Sequence, residues 1–524
     1  MCICLSFQNL ALQSKVFRTF CCCSSYLSIL PKNPYLAISF NPTMFFLLVM
    51  VGALYPLANV WAWEVNTHRE LTEQAINIME AELNSYFINN LGLEGGLNSS
   101  VKGGSPRELM IQGSNDEDNP PRFLRHFHEP IANRGLLNGT FDSSINWSLR
   151  AKGEQEWSWN DAREYYFKAL TSPTKAERDE NWGKTFRALG QIMHLLQDSA
   201  NPSHVRNDPH PFDDGLHDFM ERRSVGSYIG SGIFSPDPSI LEQSGATRSE
   251  PFSNLFDRNA YSGSNPQATL GTDIGVAEYT NANFFSDDTI PGQGSIFNAE
   301  ITYPTVSELV PAPIPSPYLT LPRLGSTAFL GSRAAKLTGN QAVAKFLLTN
   351  TNLDLLGQLQ LDDAVYDAYS SHLIPRAVGY SAAVLTYFFR GKISLHKDKD
   401  AYEIVIARHY IGGPLDEEGY MDINFDIPQD VAFDGVTSLY YDLPGGQRIL
   451  GGQLFWDESF RPFMFKLPNG TINASIFTSI PLALLEQPIR WMVVWDGKAG
   501  PGVQEPRIIV GQTGTATWRQ TCVC

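Results

Sequence analysis

Cysteine is missing from almost the whole chain. Of seven cysteines in 524 residues, five lie in the first 23 (Cys2, Cys4, Cys21, Cys22 and Cys23), and the others are Cys522 and Cys524. A disulfide framework therefore cannot hold the body together, even in an oxidising compartment that would permit one. Positive charge is also scarce. With 39 Lys and Arg against 55 Asp and Glu, the formal net charge is -16, without the basic footprint usual in proteins that live on nucleic-acid phosphates. A bound metal ion would invert that sign locally in one cleft. There is no internal repeat and no low-complexity tract. The longest apolar run, beginning at Met44, is broken by Pro56 and Asn59, too soon for a membrane span.

That run has the form of a signal peptide. Val60-Trp61-Ala62 places small residues three and one before a bond after Ala62, as signal peptidase requires. Residues 1–43 fit no targeting pattern. They are either a long basic n-region or leader upstream of a true start at Met44, and we favour the second. The expected product is secreted or periplasmic, beginning at Trp63.

The remaining chain divides by texture, with an expected catalytic domain at 63–391 and a smaller module at 392–524. Residues 64–224 are helical by pattern. Leu71, Ala75, Ile78, Met79 and Leu83 form an apolar face behind Thr67, a candidate N-cap. A second helix at about 175–198 presents Phe186, Leu189, Ile192, Met193 and Leu196, and Asn201-Pro202 marks its end. Residues 225–335 are rich in Gly, Ser, Pro and Asn and read as long loops with short helices. Helical periodicity returns from about Gln341 to Phe389. Beyond Gly391, AYEIVIARHYI, MDINFDI, GVTSLYYDL, RWMVVWDG and PRIIVGQ are short β-branched and aromatic runs, expected to form an antiparallel β-sandwich. The fold class expected is mainly α, followed by this β module.

Seven of the ten histidines fall between His68 and His217. A single helical histidine is usually a satisfied core residue, so spacing carries the argument. His194 and Asp198 in HLLQD lie four residues apart on a predicted helix and share one face. His217 and Glu221 in HDFME repeat that spacing. His204 follows Asn201-Pro202 in a turn between the pairs. Asp118 stands eight residues before His126 across a proline-rich bend, with Asp116 and Glu117 as neighbouring acids that leave the choice of carboxylate open. Imidazole and carboxylate without thiolate suit zinc in a hydrolytic site with open positions, and so many donor groups imply more than one ion. His128 and His210 match no motif position and read as surface or supporting groups; His372, His396 and His409 read as unrelated.

Trp63 with His68, Asp118 with His126, His194 with Asp198, His204 six residues later, and His217 with Glu221 together resemble the zinc-dependent phospholipase C family. Fungal zinc nucleases acting on single strands share that fold and ligand order. The resemblance is strong over about 63–224 and looser over 275–391. It implies three zinc ions. Asp118, His126, His194 and Asp198 would hold one; Asp198, His68 and Trp63, through its free amine and carbonyl, a second; His204, His217 and Glu221 a third. Trp63 would then ligate only after cleavage behind Ala62. The resemblance also gives Asp118 a role as general base.

Three functions compete on these residues. HFHEP resembles a phospholipase segment, which implies a phospholipid or membrane-surface substrate and no protein partner. Trp147, Trp157, Trp159, Tyr165 and Tyr166 are candidate base-stacking platforms for a nuclease. A non-catalytic protein stabilised by zinc is the third reading. Phe455, Trp456, Phe460 and Phe463 could insert into lipid, although core strands are the blander account.

Overall fold

Helix capping and glycine crossings set the frame around the histidines. The computed structural model describes residues 65–209, 215–230, 232–241, 250–290, 302–311, 318–325, 330–332, 359–395, 397–398, 401–408, 417–426, 432–456, 465–466, 472–478, 488–500, 506–516 and 518–523. Residues 1–64, on which the expected leader, signal segment and Trp63 fall, lie outside these residues.

Helix α1 (Val65–Ile78) carries His68. Leu71, Ala75 and Ile76 are buried, whereas Ile78 is 42% exposed. The expected apolar face is thus rotated towards Ile76. Thr67 lies inside α1 and does not cap it. Helix α2 (Pro106–Asp116) opens on a capping box in which Ser105 and Glu108 satisfy each other's backbone N–H groups. Helix α3 (Trp159–Thr171) and the long α4 (Lys175–Asp198) are capped in the same way by Ser158 with Asp161 and Thr174 with Glu177.

α4 has the expected bounds, and its Phe186, Leu189, Ile192, Met193 and Leu196 are all buried. Asn201-Pro202 does more than end it. Asn201 accepts from the Ser203 N–H and caps a further short helix, α5 (Pro202–Val205), with Pro202 in its first turn. His204 therefore sits on a helical turn. Helix α6 (Gly215–Glu221) carries His217 and Glu221.

The crossing of α2 and α4 is unusually close because glycine stands at both contacts. A Cβ on Gly113 would fall 2.0 Å from the Arg187 carbonyl oxygen, and one on Gly190 would fall 2.0 Å from that of Met110. Any side chain would hold the two backbones apart. This contact brings the C-terminal end of α2 up to His194.

Between 225 and 335 the described residues form short 3-10 turns, as expected, together with a single α-helical turn at Gly226–Ile229 and α7 (Val276–Asn283). A small antiparallel sheet, β1 (Val310–Pro311), β2 (Tyr318–Thr320), β3 (Leu330–Ser332) and β4 (Leu359–Gln360), was not legible from the sequence. Of the helical stretch expected from about Gln341 to Phe389, the described part is interrupted at Leu359–Gln360 and is helical from Asp363. Residues 341–358 lie outside the described residues, β4 follows them, and Asp362 caps α8 (Asp363–Phe388) by accepting from Ala364 and Val365. α8 is buried around most of its circumference, as a central helix must be.

The final segment forms two sheets. One, in spatial order β10-β9-β13-β14, is antiparallel: β9 (Ala432–Asp442), β10 (Arg448–Trp456), β13 (Ile489–Gly500) and β14 (Pro506–Ala516). The other runs β11-β12-β8-β7-β15 through β7 (Ala401–Arg408), β8 (Glu417–Asp426), β11 (Phe465–Lys466), β12 (Ile472–Thr478) and β15 (Trp518–Val523), with β5 (Lys392–Leu395) on β8 and β6 (Lys397–Asp398) on β7. The strands pair antiparallel as expected except at one pair, where β15 runs parallel to β7 with Trp518 opposite Tyr402.

The β13 side chains from Trp491 to Trp495 are buried on both faces. Met492 and Val494 join the same hydrophobic core as the helical residues Leu170 and Phe389, while Trp491, Val493 and Trp495 alternate to the opposite face. The helical and first-sheet segments thus share one core. Arginines stitch them further. Arg448 donates to both Asp442 oxygens at 2.7 and 2.8 Å and to the Leu170 carbonyl, and Arg178 reaches the Gly446 carbonyl at 2.8 Å. The protein is mainly helical, followed by a smaller β part. The side chains of Phe455, Trp456, Phe460 and Phe463, considered for lipid contact, all lie outside the described residues.

Candidate metal centre

Five fully buried side chains converge where α1, the end of α2, the 118–126 bend and α4 meet. They are His68, Asp118, His126, His194 and Asp198, and His204 on α5 stands beside them. Asp198 is central. One of its oxygens faces His68 Nε2 at 3.3 Å and His204 Nδ1 at 3.5 Å. The other faces His126 Nδ1 at 2.9 Å and His194 Nε2 at 3.1 Å. Asp118 Oδ1 lies 3.4 Å from His194 Nε2 and 3.6 Å from His126 Nδ1.

These separations have a physical meaning. Zinc bonded at about 2.1 Å in a tetrahedron spaces its ligand atoms about 3.4 Å apart. The His68–Asp118–His194 and His126–His194–Asp198 groups each keep their donor atoms within 4.8 Å of one another. Both oxygens of Asp118 and of Asp198 are buried and accept no hydrogen bond from the described residues. Two buried carboxylates without donors would be costly on their own. They suit a site that a cation completes, and the residues fit a metal ion.

The electrostatics agree with that fit. Burial opposes ionisation of Asp118, yet His194, His126 and His68 hold its carboxyl below the usual range. Asp198 is held well below it against the same desolvation, by His204, His194 and His126. Burial also works against a charge on His194, but Asp118 and Asp198 outweigh it and raise the imidazole well above its ordinary value. His68 goes the other way, lowered by burial and by His194, whose ring stacks on it at 3.7 Å.

Orienting partners aim the rings. His68 Nδ1 lies 2.8 Å from Gln197 Oε1, and His194 Nδ1 lies 2.6 Å from the Ser114 carbonyl. Each contact turns the other ring nitrogen, Nε2, towards the carboxylates. Gln197 in turn donates to Thr72 Oγ1 and Ser381 Oγ, tying α1, α4 and α8 together. The sequence reading missed Gln197 and Ser114. Gln197 did carry a signal, a glutamine immediately before Asp198 on an apolar helix, but nothing local named its partner.

The choice among three consecutive acids is made by neighbours. Asp116 pairs with Arg187 at 2.7 Å near the surface. Glu117 is buried against Arg122 and Trp147. Asp118 faces the histidines. Of the two readings open for His128, surface or supporting group, burial removes the first: it is fully buried, with Nε2 2.8 Å from Asp257 Oδ2. His372 stands apart from the cluster, near Arg376 and Phe284. Glu221 is exposed at the end of α6 and is not among the converging side chains. The His217 side chain, Trp63, His210, His396 and His409 lie outside the described residues. The His204 ring stacks on Phe127 at 4.5 Å, an apolar wall on that side of the centre.

No family model and no curated protein matches the chain. Among solved structures it is similar to the alpha toxin from Clostridium absonum, with 12% identity and a TM-score of 0.26 over 86% of this chain and 95% of that one. It is also similar to the alpha-toxin from an avian strain of Clostridium perfringens, with 13% identity and a TM-score of 0.22 over 85% and 97%. Likeness at that level is too slight to transfer a fold or an activity.

Proposed function

We propose that this chain is a zinc-dependent phosphodiester hydrolase, and specifically a phospholipase C that releases diacylglycerol and a phosphorylated headgroup. The observation that carries the reading is the buried convergence of His68, Asp118, His126, His194 and Asp198, with carboxylate oxygens that accept no hydrogen bond among the described residues. Such a donor set selects zinc over calcium or magnesium, which prefer all-oxygen shells.

His68, Asp118, His126, His194 and Asp198 would hold the metal, with His204 beside them and Trp63, His217 and Glu221 completing the set that the family resemblance implies. When bound, zinc supplies positive charge for the phosphoryl oxygens and lowers the pKa of water towards about 7. In the reaction a water oxygen adds to phosphorus, the phosphorus–oxygen bond on the glycerol side breaks, and the glycerol oxygen takes up a proton. Asp118, held ionised by His194 and His126 against its burial, is the carboxylate suited to receive the proton of the attacking water. Gln197 and the Ser114 carbonyl keep His68 and His194 in one orientation throughout.

The aromatic residues proposed as base-stacking platforms do not support the nuclease alternative. A stacking platform must be open to a base. Trp147, Trp159 and Tyr166 are buried at 9%, 1% and 2% exposure. Trp157 and Tyr165 are half-buried, and Arg187 and Lys184 lie over their rings. Secretion with cleavage after Ala62 belongs to the same proposal, because it creates the free amine at Trp63.

Secreted protein with its N-terminus sequenced should be assayed on phosphatidylcholine vesicles and on single-stranded DNA, with and without chelator. Chelator-sensitive release of phosphocholine is the expected result. Activity on DNA alone overturns the substrate, and activity that survives chelation overturns the zinc enzyme.

A further inference from the structure

His126 is held differently from its neighbours. Its Nδ1 points into the centre, 2.9 Å from Asp198 and 3.3 Å from His194 Nε2. Its Nε2 is buried and makes no hydrogen bond among the described residues. The nearest carboxylate on that side is Glu117, whose Oε1 lies 3.9 Å away. That is too far for a hydrogen bond.

Glu117 is itself fully buried and rigidly held. Arg122 donates to its Oε2 from Nε at 2.8 Å and from Nη2 at 2.6 Å, and the Trp147 indole N–H donates to Oε1 at 2.9 Å. Arg122 is fixed in turn by Gln155, and its guanidinium lies over the Trp147 ring at 5.0 Å. Oε1 keeps an accepting position beyond the one the indole uses.

We infer that Glu117 is a positioning residue for the metal centre, the acceptor that orients His126. The inference rests on the metal-binding reading above. A neutral imidazole that coordinates through Nδ1 carries its only proton on Nε2. That N–H is then buried and must find an acceptor or leave a buried donor unsatisfied. A ring shift of about an ångström towards Glu117 Oε1 closes the bond at ordinary length. Metal binding at Nδ1 and the His126–Glu117 hydrogen bond thus favour one another, and the bond raises the basicity of the coordinating nitrogen. The three consecutive acids divide their work. Asp116 holds α4 through Arg187, Glu117 orients a ligand, and Asp118 faces the ion.

The test uses the full chain with zinc as the probe. In histidine-labelled, zinc-loaded protein, long-range proton–nitrogen NMR should show His126 protonated at Nε2, with a downfield, slowly exchanging ring proton. Zinc affinity, measured by chelator competition, should fall 10- to 100-fold in Glu117→Leu and less in Glu117→Gln, which keeps an acceptor oxygen. The ring proton should be lost or move upfield in both. Trp147→Phe, which removes a donor to Oε1 and leaves Glu117 in place, should retain that proton. A wild-type His126 protonated at Nδ1, or carrying a freely exchanging Nε2 proton while zinc is bound, overturns the inference even where the variants fail to fold. Unchanged zinc affinity in folded Glu117→Leu overturns it also. Wild-type protein that takes up no zinc overturns the metal-binding reading itself.

Discussion

Replacing Gly190 by alanine adds a single methyl group where α4 crosses α2. In an open helix the exchange would stabilise by about 1 kcal/mol, because glycine is the poorer helix former. Here the added Cβ would stand 2.0 Å from the Met110 carbonyl oxygen and 2.8 Å from the Ser114 nitrogen. Both are backbone atoms and cannot rotate away. Ordinary contact begins at 3.4 Å, so the helices must separate by about 1.4 Å at the crossing, a degree of overpacking that costs about 1–3 kcal/mol. The same movement would stretch the 2.6 Å contact between His194 Nδ1 and the Ser114 carbonyl beyond hydrogen bonding, adding about 1–3 kcal/mol for buried groups left unsatisfied. The net expectation is a loss of about 3 kcal/mol. It would also carry Asp118 away from His194, now 3.4 Å apart, past the spacing at which both can share an ion. Urea unfolding should give the stability loss, and zinc analysis after dialysis the weakened site. Gly230→Ala, where an added Cβ meets no atom within 4 Å, should change neither. A Gly190→Ala protein as stable as the parent, with its zinc content intact, would refute the reasoning.

Asp198→Asn removes the one carboxylate that faces His68, His126, His194 and His204 together; bound zinc should drop by more than one ion, and full zinc content in the variant sinks the shared-carboxylate arrangement. Gln197→Leu leaves His68 Nδ1 without its 2.8 Å partner and should weaken zinc binding 10- to 100-fold, read by chelator competition, with an unchanged affinity telling against it. His372 is depressed to about 4 by burial and by Arg376. A depressed folded value favours the neutral ring, so its contribution to stability is present above about pH 6.5 and is lost as pH falls towards 4, by at most about 3 kcal/mol. In His372→Gln the melting temperature should fall less steeply over that window, and an identical acid limb would count against the assignment.

How far the molecule was legible depended on how local each signal was. Caps and apolar periodicity act within a few residues, so α4 was placed at its true bounds from the spacing of Phe186, Leu189, Ile192, Met193 and Leu196 and from Asn201-Pro202 beyond its end. The helical pairing of His194 with Asp198 followed from the same periodicity. Where one local signal admits two readings, the sequence was incomplete. Thr67 has the chemistry of an N-cap yet lies inside α1, and Asn201-Pro202 has the form of a stop signal yet opens α5. On α1 the apolar pattern could not distinguish Ile76 from Ile78, because only the position of the neighbouring helices decides which is covered.

The sequence by itself determined the donor inventory: imidazoles and carboxylates at helical spacing, in a chain whose body has no thiolate to offer. It also determined the succession of a helical part and a β part, because periods of 3.6 and 2 are written locally. Tertiary structure alone decided how those donors meet. Asp116, Glu117 and Asp118 are near-equivalent as text, and they separate only because Arg187, the Arg122–Trp147 pair and the histidines approach from different sides. Gly113 and Gly190 are unremarked in sequence and become decisive only where two backbones touch. The parallel pairing of β15 with β7 spans more than a hundred residues and leaves no local trace. Chemistry is carried by residue type, which the sequence states outright; position relative to distant neighbours depends on packing, which it does not.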